Sequence, residues 1–338
     1  MEMIIDLKRI IDDLQIETDE VKFVLDNRRS FDACYKPDSA TVRVDYHRLL
    51  YYDLFNGIIS NGLNGNRNAL KLVLYILMGE ACLRENQLGL SFIFLEKIAE
   101  HIGTLDMDTV RLTNDISSYL DTQFKSILCH ELHHHIFLRN PQLLTDKIAA
   151  LKESILVSSK YEYFKIPVDM GHNLYTEIVC DCEAASYLLK TEKEPQNSNP
   201  VEFALSMVFA LLNQMIIRFA EIVSKTLKNE SIEAFIHECI IRGLCLALSI
   251  EDILKARFAN RTAIEFFEGF LRYYGNWKKI LIETTNLLKD FINTIDPDYM
   301  PFGKLEISLM ESEHIRKQYD EFRERLNDVY RSIFGSCA

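Results

Sequence analysis

The residues best suited to chemistry in this 338-residue chain lie in one run, Cys129-His130-Glu131-Leu132-His133-His134-His135. His130, Glu131 and His134 form the pattern H-E-x-x-H. At about 100° per residue, helical positions four apart stand about 40° from each other around the axis and one turn apart along it. Two imidazoles so placed can meet a single metal ion at about 2.0–2.1 Å each. Glu131 falls about 80° from the midpoint of that pair, poorly placed to ligate but able to reach a water on the ion. The flanks, Ile127-Leu128 and Ile136-Phe137-Leu138, are apolar. Two histidines and a glutamate are expensive to bury there without a partner, and a metal supplies one.

A catalytic zinc site takes three protein ligands and keeps one position open. The segment Glu177-Ile178-Val179-Cys180-Asp181-Cys182-Glu183-Ala184 offers the third. Glu177, Asp181, Ala184 and Leu188 share one helical face, and the small and apolar members of that face point to burial. Glu177 is the expected ligand. Asp181, one turn on, is placed to hydrogen-bond a ligand histidine and fix its tautomer. Glu183 lies about 120° away from Glu177 around the helix and is the poorer choice.

The neighbouring residues read more plainly. His133 and His135 flank the ligand face and are expected to support the ligands or to lie at the surface. Cys180 and Cys182 fall on different faces with no second cysteine pair nearby, so buried structural thiols are expected. Cys129 and His130, being adjacent, point about 100° apart and do not form a nucleophile–base pair. His237-Glu238 repeats H-E, but position 241 is Ile, so the second histidine is missing.

The combination of H-E-x-x-H with E-x-x-[small]-D-x-x-A resembles the gluzincin metallopeptidases. The closest pattern is that of the CAAX-prenyl and heat-shock membrane endopeptidases, with Cys180 standing where Ala is usual. A weaker similarity is to the phage-exclusion peptidases. The resemblance covers roughly residues 125–188, about a fifth of the chain. It implies a zincin-like core holding one Zn2+ through His130, His134 and Glu177. The membrane spans of the endopeptidases are not matched, so their membrane-protein substrates are not implied.

The chemistry implied is metal-assisted hydrolysis of peptide bonds. Glu131 takes the proton of an activated water and passes it to the leaving amine. A further donor would stabilise the oxyanion. His172 and His237 are candidates, as are Tyr161, Tyr163 and Tyr175. A second function class is a non-catalytic, metal-stabilised helical interaction protein, in which zinc holds the N-terminal half together and the C-terminal helices do the work. A third, a zinc hydrolase of small molecules, finds no phosphate-binding glycine loop or second metal motif to support it.

The elements that must position these residues are mostly helices. Only 12 Gly and 7 Pro occur, against 20 Phe and 15 Tyr, a balance that disfavours a turn-rich β fold. Residues 4–16, 69–84, 90–102, 116–139 (after Asn114-Asp115, which can cap it), 145–159, 174–191, 201–227, 231–257 and 262–293 read as helices, and 306–333 as a charged amphipathic helix. Residues 21–25 and the alternating 40–46 read as extended. Residues 161–173 read as irregular, and Asn61 to Arg67 as a loop. The expected fold is mainly α with a small β-sheet: a zincin-like metallopeptidase domain over 1–194, then a helical domain over 195–338, joined at the polar stretch Thr191 to Pro200.

A net charge of −12 argues against nucleic-acid binding. A protein or peptide substrate is the expected partner. The most apolar segment, Val201 to Val223, is interrupted by Glu202, Asn213, Gln214, Arg218 and Glu221 and reads as a core helix, without a membrane span. The eight cysteines show no disulfide-scaffold spacing and the N-terminus no apolar signal core, which points to the reducing cytoplasm.

Overall fold

The computed structural model describes residues 7–14, 21–26, 33–61, 67–84, 88–102, 117–191, 199–225, 229–258, 260–294, 324 and 328. Along them run α1 (Leu7–Asp13), β1 (Lys22–Asp26), β2 (Ala33–Lys36), β3 (Thr41–Asp45), α2 (Tyr46–Asn61), α3 (Arg67–Arg84), α4 (Leu88–Ile102) and α5 (Ser117–Arg139). There follow α6 (Pro141–Val157), α7 (Ser159–Tyr163), α8 (His172–Thr191), α9 (Pro200–Lys225), α10 (Asn229–Arg257) and α11 (Asn260–Thr294). The protein is mainly α with one small sheet, as its composition led us to expect. The stretch Thr191 to Pro200, the loop after Asn61, the cap at Asn114-Asp115 and the helix over 306–333 lie wholly or largely outside the described residues.

The chain forms two compact units, each assembled from three segments. The first comprises Met1–Leu49, Asn114–Gln214 and Ile236–Tyr274; the second comprises Leu50–Thr113, Met215–Phe235 and Gly275–Ala338.

The first unit holds the sheet, ordered β1-β3-β2, with β1 parallel and β2 antiparallel to the central β3. β3 is central because it is the apolar strand: Val42 and Val44 are fully buried. β2, the four residues Ala33–Lys36, is an edge strand that the sequence reading left out. A 3₁₀ turn over Pro37–Ser39 joins it to β3. Ala40 closes that turn at φ 44°, and its N–H donates to the Pro37 carbonyl at 3.2 Å. This is the left-handed region that non-glycine residues seldom adopt.

α5 packs against β2, β3, α6 and α8. It is buried on nearly every side, because Phe124, Ile127, Leu128, Leu132 and Phe137 together reach around it. It stops at Asn140-Pro141. There the Asn140 Oδ1 accepts from the Leu143 N–H at 3.2 Å and caps α6, while Pro141 takes the first helical position, where no N–H is needed. Residues 161–173, expected to be irregular, begin with the end of the short helix α7 and are irregular only up to α8.

The second unit is wholly helical among its described residues. α3 and α4 pack where Gly79 leaves room: a Cβ there would sit 3.4 Å from that of Phe94. Ser91 Oγ donates to the Gly79 carbonyl at 3.1 Å across the same contact. Asn276 Nδ2 donates to the Ile59 carbonyl at 2.9 Å, and Arg67 pairs with Glu283.

By length and composition Pro200–Phe219 could cross a membrane, with mean hydropathy 1.6, and 78% of that window is buried within the protein.

Phe124 is 2% exposed and meets Phe23 of β1 edge-on, with ring centroids 6.0 Å apart. Phe124→Ala should therefore destabilise the protein by about 3–5 kcal/mol. Leu138→Ala, on the same helix but 55% exposed, should change stability by less than about 0.5 kcal/mol. Chemical denaturation of both variants checks the orientation of α5, and equal losses would contradict it.

Candidate metal centre

α5 and α8 bring His130, His134 and Glu177 together. One ligand atom from each lies within 4.8 Å of the other two. The two Nε2 atoms are 3.0 Å apart. His130 Nε2 is 3.5 Å from Glu177 Oε2, and His134 Nε2 is 3.4 Å from Glu177 Oε1. The group could hold a metal ion. Two imidazole nitrogens and a carboxylate oxygen, from i, i+4 positions on one helix and a facing position on another, are the donor set of a three-ligand site. Glu177 and His134 keep 36% and 24% of their side chains exposed, so one side of the group opens to solvent.

Each histidine has a partner behind it. His130 Nδ1 lies 2.8 Å from Asp181 Oδ1, a charge contact whose alignment falls short of a hydrogen bond. His134 Nδ1 lies 3.5 Å from Cys180 Sγ. In the neutral ring the Asp181 contact favours a proton on His130 Nδ1 and leaves its Nε2 lone pair facing the other donors. Asp181 thus stands where the sequence put it. Cys180 is a buried thiol, pushed up by burial and by the charges of Glu177 and Asp181.

Arg242, on α10, was not singled out from the sequence. Its Nε and Nη2 donate to Asp181 Oδ2 at 2.9 Å and Oδ1 at 3.1 Å. Its Nη1 lies 3.0 Å from Glu177 Oε2. The signal was available: Cys239-Ile240-Ile241-Arg242-Gly243-Leu244-Cys245 is one arginine within an apolar run, and a charge buried there requires an acid partner.

Glu131 points to the sheet. Its Oε2 accepts the Tyr35 backbone N–H of β2 at 2.7 Å. Burial raises its carboxyl above the usual carboxylate range, while the charge of His130 works the other way. The Tyr35 hydroxyl is 2.7 Å from His135 Nδ1. His133 Nδ1 is 2.7 Å from the Cys129 carbonyl oxygen. His133 and His135 are therefore both buried, and neither belongs to the three-residue group.

The five oxyanion candidates scatter. His172 and His237 are exposed and outside the group, and Tyr163 is exposed. Tyr161 is buried, and burial raises its phenol. Tyr175 is buried and donates to the Val168 carbonyl.

Burial alone would lower His130, but Asp181 and Glu177 outweigh it and lift the imidazolium to about 10. Burial and the His130 charge take His134 down to about 4. Burial opposes ionisation of both carboxylates, yet Glu177 is held far below the usual range by His130 and Arg242. Asp181 is likewise held low by Arg242 and His130.

No protein-family profile, curated protein or solved structure matches the chain.

Because His130 is protonated below about pH 10 without metal, metal uptake near neutrality must displace that proton. Affinity should rise roughly tenfold per pH unit between about pH 6 and 8, with close to one proton released. Calorimetric titration in two buffers of different ionisation enthalpy measures the release, and a pH-independent affinity would contradict it. Asp181→Ala leaves the Arg242 guanidinium buried with one partner. It should cost about 3–5 kcal/mol in chelator-treated protein, read by denaturant unfolding.

Proposed function

We propose that the protein is a zinc-dependent peptidase with Glu131 as its general base. The observation that carries this reading is that, among the described residues, His130, His134 and Glu177 converge as a group of three donors, beside a buried carboxylate. A structural zinc site is usually closed by four protein ligands, whereas a catalytic site keeps a position for water. His133 and His135, the neighbouring histidines that could have closed it, are engaged elsewhere.

Zinc at this site would polarise the scissile carbonyl and lower the pKa of its bound water toward about 7. The chain's residues do the rest. His130 and His134 present Nε2, with Asp181 and Cys180 behind them. Glu131, its carboxyl raised by burial, takes a proton and returns it to the leaving amine. The Tyr35 amide fixes the direction of that carboxylate. A peptide or protein substrate is supported by β2, an edge strand beside Glu131 on which an extended segment can pair. The reading includes a reducing, cytoplasmic setting, in which free thiols persist.

The test is metal analysis together with cleavage of a fluorescence-quenched peptide library by the full chain. About one zinc per chain is expected in the wild type and in Glu131→Gln, and none in His130→Ala. Cleavage should fall by about 10²–10⁴-fold in Glu131→Gln. Zinc retained by a wild-type protein that cleaves no peptide would instead make the metal a structural staple.

A further inference from the structure

We infer that Arg242 sets the coordination number of the metal centre by deciding which carboxylate oxygens are free to ligate. The inference rests on the metal reading above and adds a residue that neither H-E-x-x-H nor the Glu177 helix contains.

Two carboxylates stand beside the histidines and carry four oxygens, two from Glu177 and two from Asp181. Left alone, they could supply a metal with more than one oxygen donor and fill the position that hydrolysis requires. Arg242 engages three of them. Its Nε and Nη2 form a fork on Asp181, at 2.9 Å to Oδ2 and 3.1 Å to Oδ1. Planar, two-point pairing of this kind is the geometry for which a guanidinium is built. The remaining terminal nitrogen, Nη1, takes Glu177 Oε2 at 3.0 Å. Asp181 is thereby held against His130 Nδ1, on the ring edge away from the donors. Only Glu177 Oε1, 3.4 Å from His134 Nε2, has no guanidinium contact.

Glu177 therefore offers one oxygen, and Asp181 offers none. With two imidazoles this makes three ligating atoms and leaves a tetrahedral position vacant. The side chains are also poorly placed to rearrange: Arg242 is 15% exposed and Asp181 7%. A lysine could neutralise the carboxylates, but its compact ammonium cannot hold two of them in a fixed plane.

The experiment is cobalt(II) substitution of the full-length wild type, Arg242→Gln and Arg242→Lys, read by visible absorption, with far-ultraviolet circular dichroism to establish folding. The wild type should show the intense visible bands of four-coordinate cobalt. In both variants the freed oxygens of Glu177 or Asp181 should join the metal, and the bands should weaken several-fold as coordination rises. If Arg242→Gln does not fold, Arg242→Lys, which keeps the buried charge, gives the same readout. Identical band intensities in wild type and folded variant would overturn the inference and leave the metal reading standing. A wild type that binds no cobalt would overturn both.

Discussion

Two carboxylates and two imidazoles packed between helices form an arrangement that cannot exist without a cation. Glu177 and Asp181 are ionised, and Arg242 supplies one positive charge against their two. In the metal-free protein the remaining negative charge is met by a proton on His130, which is why that imidazolium is held to about 10 although burial disfavours it. A metal ion is the alternative cation. It needs His130 neutral, with Nε2 bare, and the same two carboxylates then favour the metal as they had favoured the proton. A proton and a metal ion would thus compete for the same place between α5, α8 and α10.

The second organising contact is between helix and sheet. Tyr35 of β2 is attached at two points: its amide to Glu131 and its hydroxyl to His135. A carboxylate fixed by a backbone amide has less freedom than one facing solvent, and freedom is what a proton-transferring group must lose before it acts. β2 is antiparallel to β3 and, among the described residues, lies at the edge of the sheet, so the strand that orients the Glu131 carboxylate is an outer one.

Much of the site could be read from residue spacing, and what escaped did so for identifiable reasons. His130 and His134 share a face because helical geometry alone puts them there. Glu177 and Asp181 were recognisable because an acidic pair fell in register with Ala184 and Leu188. Arg242 lies 61 positions beyond Asp181, and no local periodicity connects residues so far apart. β2 escaped because a four-residue strand has too few alternations to rise above its surroundings. His172 and His237 were chosen for residue type, and exposure, which depends on neighbours distant in sequence, left them outside the group.

The helical class, the boundary at Asn140-Pro141, and the two histidines with their glutamate follow from the sequence by itself, because each depends on groups within a turn or two of each other. Which acid stands against which imidazole, which cation balances them, and which strand holds Glu131 were decided only when α5, α8, α10 and β2 came together. The physical reason is that local backbone geometry acts over a few residues, whereas charge compensation in a desolvated interior selects partners by distance in space.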